Sequence, residues 1–221
     1  MHAGSTVGVE SGPMTIKQRA RYVMHFASLV AALAMAWPAQ SAAVPASSPS
    51  AGVRGTVVGK GLKTNQWMVV SLEGPGLVVK PPTAPVHMDQ KSFRFVPHVQ
   101  AIVVGTTVRF LNNDPEGHNV YSPEGRYNLG TWPAGETRDH KFDKPGAYTQ
   151  LCNVHPDMLA FIVVLETPYF AVTDAAGRFE IGNVAPGKYK LVVWSEKLDG
   201  LEREVTVAPG KMLNLDLVVE R

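Results

Sequence analysis

From about residue 53 onward the chain is a succession of short runs in which apolar and polar residues alternate, punctuated by glycine and proline. Val53-Arg54-Gly55-Thr56-Val57-Val58 and Trp67-Met68-Val69-Val70-Ser71-Leu72-Glu73-Gly74 read as two strands joined by a glycine-containing connection. Thr107-Val108-Arg109-Phe110-Leu111-Asn112 alternates in the same way. Gly146-Ala147-Tyr148-Thr149-Gln150-Leu151 and the apolar run Phe161-Ile162-Val163-Val164-Leu165 predict two more strands, the second buried. Further along, Phe179 and Ile181, then Tyr189, Leu191 and Val193, then Leu213, Leu215, Leu217 and Val219 fall on single faces, because strand side chains alternate with a period of two. Val184-Ala185-Pro186-Gly187-Lys188 and Val207-Ala208-Pro209-Gly210-Lys211 repeat a Pro-Gly turn, in which proline presets φ at one corner and glycine tolerates a positive φ at the next. This is turn chemistry used twice, not a duplicated domain. No long amphipathic helical pattern follows residue 43, and with 20 glycines and 17 prolines the fold class is all-β. At 221 residues and 45% hydrophobic, the chain holds one large core or two small ones.

The N-terminal pattern is different. Residues 1–13 are small and polar, and Met14 offers a second start, after which Lys17, Arg19 and Arg21 form a short basic region. The apolar segment from Tyr22 to Trp37, interrupted by His25, is short for a span, which needs about 20 residues, and suits a signal-peptide core. Ala39-Gln40-Ser41 and Ser41-Ala42-Ala43 supply small-residue cleavage sites. Residues 1–43 are therefore expected to be a signal peptide, with an uncleaved anchor as the alternative. The expectation is a periplasmic protein with no membrane span after signal removal. Its arginines are not adjacent, which argues against a twin-arginine signal, and no N-terminal cysteine is present for lipid attachment. Residues 44–52, rich in Ala, Ser and Pro, read as a linker. The net charge of +2 falls to balance without residues 1–43, leaving 18 basic and 18 acidic side chains, so no nucleic-acid partner is implied.

The chemistry concentrates in Cys152-Asn153-Val154-His155-Pro156-Asp157-Met158, between two predicted strands. The only cysteine of the chain is here, so no internal disulfide forms. A lone cysteine is more often a small buried hydrophobe than a ligand. Its company changes the reading: His155 and Met158 share the loop, and His118 follows the predicted strand 107–112 toward the same end of a sandwich. One thiolate, two imidazoles and a thioether form the ligand set of a blue-copper electron-transfer site, trigonal His₂Cys with a long axial Met. Iron–sulfur clusters need more cysteines, covalent haem needs Cys-x-x-Cys-His, and structural zinc leaves methionine out. A Cys–His nucleophilic dyad lacks an evident orienting group and charge-stabilising donors.

Val108 to Asn112, His118-Asn119-Val120, Phe142-Asp143-Lys144-Pro145-Gly146-Ala147-Tyr148 and Cys152-x2-His155-x2-Met158 resemble the cupredoxins over residues 85–166, with the loop spacing of the amicyanin-like members rather than the plastocyanin-like ones. The resemblance implies a Greek-key β-sandwich holding one copper on His118, Cys152, His155 and Met158, with Asn119 tying the two ligand loops together. His155, beside Pro156 and Leu159, is the possible electron port. Related copper oxidases and nitrite reductases place a histidine beside the cysteine, whereas Cys152 lies between Leu151 and Asn153, so a carrier and not an enzyme is expected. The implied partner is a redox protein such as a c-type cytochrome or a periplasmic dehydrogenase. Copper storage or delivery is the alternative, and a structural module merely stabilised by metal is a third reading.

Gly55-Thr56-Val57, Val69-Val70-Ser71-Leu72, Thr173-Asp174-Ala175-Ala176-Gly177-Arg178-Phe179 and Pro186-Gly187-Lys188-Tyr189-Lys190-Leu191 resemble a carboxypeptidase-regulatory-like, transthyretin-type sandwich. The whole chain is similar to bacterial methylamine-utilisation or plastocyanin-like proteins that join the two. The expectation is an insertion: residues 53–80 and 167–221 build one small sandwich, and the cupredoxin 85–166 is spliced into it. A simple tandem is the alternative. Of the other histidines, His98 is read as surface or capping, with a place near the site as the second choice, and His87 and His140 have no ligand partner in sequence. Trp67, Trp132 and Trp194 are read as core or rim packing.

Overall fold

The computed structural model describes residues 51–221. The signal segment expected over residues 1–43 lies outside the described residues, as do 44–50 of the expected linker; its last residue, Gly52, already belongs to a strand. Every regular element among the described residues is a strand. In chain order these are β1 (Gly52–Gly59), β2 (Val69–Glu73), β3 (Val86–Gln90), β4 (Phe95–Val96), β5 (Val99–Val103), β6 (Thr106–Asn112), β7 (His118–Ser122) and β8 (Tyr127–Trp132). They continue as β9 (Thr137–Phe142), β10 (Gly146–Leu151), β11 (Leu159–Leu165), β12 (Phe170–Val172), β13 (Arg178–Ile181), β14 (Gly187–Trp194), β15 (Leu201–Val207) and β16 (Met212–Val219).

Four sheets result, with strand orders β13-β1-β16, β12-β2-β14-β15, β4-β3-β6-β9 and β5-β11-β10-β7-β8. The first two share a core of Val53, Val57, Leu72, Leu191, Val193 and Leu217, among others. β1 runs antiparallel to β13 and parallel to β16, and β2 runs antiparallel to β12 and β14. Both early strands therefore pair with strands that follow residue 169. At Gly55 the backbones of β1 and β16 meet so closely that a Cβ would stand 1.7 Å from the Leu215 carbonyl oxygen. Glycine is the residue that permits this approach.

The other two sheets enclose Met88, Val108, Phe110, Trp132, Phe142 and Ile162. The alternation of β6 buries Thr106, Val108, Phe110 and Asn112 in turn. β11 is apolar without alternation because both its faces are covered: Ala160, Ile162 and Val164 enter this core, while Phe161 and Val163 pack with Val69, Val99 and Trp194 against the first pair of sheets. β10 and β11 are an antiparallel pair closed by Leu151 opposite Leu159, which leaves residues 152–158 as the loop at their end.

Candidate metal centre

That loop carries Cys152, His155 and Met158, and β7 begins at His118, opposite Trp132 on β8. β7 also pairs with β10 at Tyr121 and Leu151, so the start of β7 and the loop come to the same end of the sheet. His118 is wholly buried, Cys152 and Met158 nearly so, and His155 is partly exposed. The Met158 N–H donates to the His155 carbonyl at 3.0 Å, which folds the loop back on itself.

His118, Cys152 and His155 each offer a ligand atom, all within 4.8 Å of one another. The two Nδ1 atoms are 2.9 Å apart. One ion lying about 2–2.3 Å from each donor spans such a separation. A buried thiol sulfur with two imidazole nitrogens is a donor set for a soft or borderline metal, and it fits a single copper. Met158 packs in the same core as Cys152. Asn119 joins the two ligand segments: its N–H points at Cys152 Sγ at 3.4 Å, its side-chain oxygen accepts from the Asn153 N–H at 3.3 Å, and its Nδ2 donates to Asn128 Oδ1 and the Gly130 carbonyl.

A carboxylate completes the arrangement. His118 Nε2 lies 2.8 Å from Asp114 Oδ2, which directs the opposite nitrogen, Nδ1, toward His155. Asp114 also accepts the N–H groups of Ser92 at 2.5 Å and Phe93 at 2.9 Å. Burial pushes its carboxyl up, but the Phe93 N–H, the His118 ring and the Ser92 N–H together outweigh that and hold it below the ordinary range. Sequence reasoning missed Asp114, which lies only four residues before His118 but in a loop, where that spacing fixes no geometry. Phe93 was missed too. Its ring meets His118 and His155 edge-on, with centroids 5.8 and 5.0 Å away, and it is half exposed. Pro156, Val154 and Leu159 are also exposed around His155.

The remaining expected residues are placed as follows. His98 sits between β4 and β5 and bonds Leu159 and Glu196. His140 stacks on Tyr127, away from the three-ligand group. Trp132 is core, with Arg138 over its ring, while Trp67 and Trp194 pack in the cluster that joins the two pairs of sheets.

Residues 83–166 match the copper binding proteins of the plastocyanin/azurin family. This copper-binding half has the fold of a cupredoxin, and residues 159–220 match the carboxypeptidase regulatory-like domain. Among solved structures, the chain is similar to a novel purple cupredoxin from Nitrosopumilus maritimus (24% identity, TM-score 0.34, 36% of this chain and 99% of that one). It is also similar to an amicyanin point mutant in the Cu(I) state (19% identity, TM-score 0.36, 43% of this chain and 98% of that one). A Cu-containing nitrite reductase from Thermus scotoductus SA-01 matches at 27% identity and TM-score 0.36, over 50% of this chain and 28% of that one. No curated protein sequence matches the chain. No helix of the described residues is long and apolar enough to cross a membrane, which says nothing of β-barrels.

Proposed function

We propose that the chain is an exported type 1 copper protein that carries single electrons between redox partners, with His118, Cys152, His155 and Met158 as ligands. The observation that carries this reading is the convergence of a buried cysteine sulfur and two histidine Nδ1 atoms at one end of a cupredoxin sandwich. Bound copper supplies one-electron chemistry between its +1 and +2 states. The protein's contribution is rigidity. Asp114 holds the His118 ring, Asn119 joins β7 to the Cys152 loop, and Met158 is fixed in the core, so the ligand frame changes little when charge changes. His155 is the ligand nearest solvent, and Phe93, Val154, Pro156 and Leu159 give it an apolar surround on which a c-type cytochrome or a periplasmic dehydrogenase can dock.

A carrier rather than an enzyme is supported by the neighbours of Cys152, Leu151 and Asn153, neither of which is a histidine able to relay electrons to a second metal. Export to the periplasm rests on the signal-like composition of residues 1–43. The domain reading proposed with it is a regulatory-like sandwich of residues 53–80 and 167–221 interrupted by the cupredoxin. It is supported by the pairing of β1 with β13 and β16.

The test is a Cu(II) titration of the purified protein beside Cys152→Ser. An intense thiolate-to-copper band in the visible, absent from the variant and bleached reversibly by a small reductant without copper loss, is expected. A colourless protein overturns the reading. Release of the metal to a Cu(I) chelator on reduction replaces carriage by delivery.

A further inference from the structure

We infer that the second sandwich acts on the metal loop through His98, which works as a strut between Glu196 and the backbone next to Met158. The inference rests on the copper reading for its consequence, but its geometry is independent of that reading.

His98 Nδ1 lies 3.1 Å from the carbonyl oxygen of Leu159, the residue directly after Met158. Its Nε2 lies 3.0 Å from Glu196 Oε2, in the segment that follows β14 of the other half. Both partners are acceptors. The ring is thus held at both nitrogens, by the loop backbone on one side and by the second sandwich on the other. The bond to the Glu196 carboxylate is charge-assisted. It is also sheltered, since the Glu196 side chain is only 14% exposed. Lys197 Nζ, 3.1 Å from the other carboxylate oxygen, holds Glu196 in turn.

The ring is gripped from both halves. Phe161 of β11 meets it edge-on at 5.8 Å, and the Phe161 N–H donates to the His98 carbonyl at 2.9 Å. From the second sandwich, Trp67 meets it at 6.2 Å. Trp67 adopts φ 73°, a left-handed conformation that is uncommon for a bulky residue, and its N–H is bonded to the Thr173 carbonyl. The strain is held in place where it presents the indole to His98.

Leu159 is the first residue of β11 and an exposed member of the apolar surround of His155. Holding its carbonyl from outside the cupredoxin limits how far Met158 and Leu159 can shift. His98 and Glu196 are thus positioning residues. They give the second sandwich a part in fixing the Met158 side of the site and its docking surface.

The experiment uses the full chain, copper-free and copper-loaded, with Glu196→Ala and Glu196→Gln. In the copper-free protein, amide exchange at Met158 and Phe161 is expected to quicken roughly tenfold or more in Glu196→Ala, the scale of losing a hydrogen bond to a charged group. Amides of Leu191 and Val205 should not change. Glu196→Gln, whose amide oxygen still accepts from the ring, should restore most of the protection. In the loaded protein the reduction potential and the visible band of Glu196→Ala should shift, and those of Glu196→Gln should return toward wild type. Unchanged exchange at Met158 and Phe161 in a folded Glu196→Ala overturns the strut, as does a uniform acceleration that includes Leu191 and Val205. If exchange responds as expected but the wild type shows no copper band, the hold on the loop stands and the copper reading alone falls.

Discussion

The two halves of the described chain bury different kinds of side chain. In the regulatory-like half the core is mostly aliphatic, with Phe179, Tyr189 and Met68 among its members, and the buried polar residues are Ser71, Thr167 and Thr173. Thr167 and Thr173 each donate a hydroxyl to a backbone carbonyl, of Leu72 and Asn65, and so serve the turns. The copper-binding half also buries two hydroxyls, of Thr106 and Ser122, and adds Gln90, Asn112, Asp114, His118, Asn119 and Gln150. Burying such groups costs stability unless each finds a partner, and here Asp89 Oδ1, Gln90 Oε1, Gln100 Oε1, Thr106 Oγ1 and Trp132 Nε1 find none. Where polar groups are fully bonded they fix geometry: Asn112 holds the Glu116 and Trp132 carbonyls and the Asp114 N–H, and Asp114 then holds His118. One half is packed for stability, while the other accepts a desolvation cost in order to place ligands.

That contrast can be broken most directly at Leu191, wholly buried in the regulatory-like core. Leu191→Ala is expected to lower unfolding stability by about 2–5 kcal/mol, the usual cost of such a truncation. The position and intensity of the copper band should not change. Urea unfolding combined with a copper titration checks both, and a changed spectrum would mean the halves are not separable in this way. Asn119→Ala should do the reverse. It deletes bonds to Asn153, Asn128 and Gly130, which sets a destabilisation of about 1–3 kcal/mol. Its larger effect should be spectroscopic, because Asn119 joins the segments that carry His118 and Cys152. A variant that unfolds more easily but keeps the wild-type band would assign Asn119 to packing alone.

The same contrast explains what could be read from the sequence. Alternation exposed β6, β13, β14 and β16, since each has one face in a core. The apolar run of β11 was legible as a buried strand, although nothing in it told that its second face meets the other half. β5, β8, β9 and β15 were not singled out. β8 and β9 are mostly exposed, so Asn128 or His140 carries no hydrophobic signature, and β5 gains meaning only from its parallel neighbour β11. At the site, Cys152, His118 and His155 stood out because thiol and imidazole are rare and were correctly spaced. Asp114 and Phe93 did not. An aspartate in a loop and an aromatic in a turn are common, and only the folded register brings residues 92–93 against 114 and 118. Glu196 is further still, 98 residues from His98, with no local pattern to mark either.

The smallest effects are expected where the halves are alike, at surface ion pairs. Arg109 on β6 bonds both Asp139 oxygens on β9, each at 2.8 Å, and Arg178 meets Asp174 in the other half at the same distance. The hydrogen bond from the Arg109 guanidinium holds the Asp139 carboxyl below its ordinary value of 3.8, against a smaller upward push from burial, with the charges of Arg109 and His87 adding to the lowering. A carboxyl depressed in the folded state favours folding at neutral pH, and that contribution is lost as the pH falls through the depressed value. Exposed pairs are screened, so the loss is small. Asp139→Asn should therefore leave the urea midpoint at pH 7 nearly unchanged and make its decline on acidification slightly shallower. The difference from wild type should shrink further in 1 M salt. If this variant lowered stability at pH 7 as much as Asn119→Ala, surface charge would carry weight assigned above to the buried polar network, and the division between the two halves would have to be redrawn.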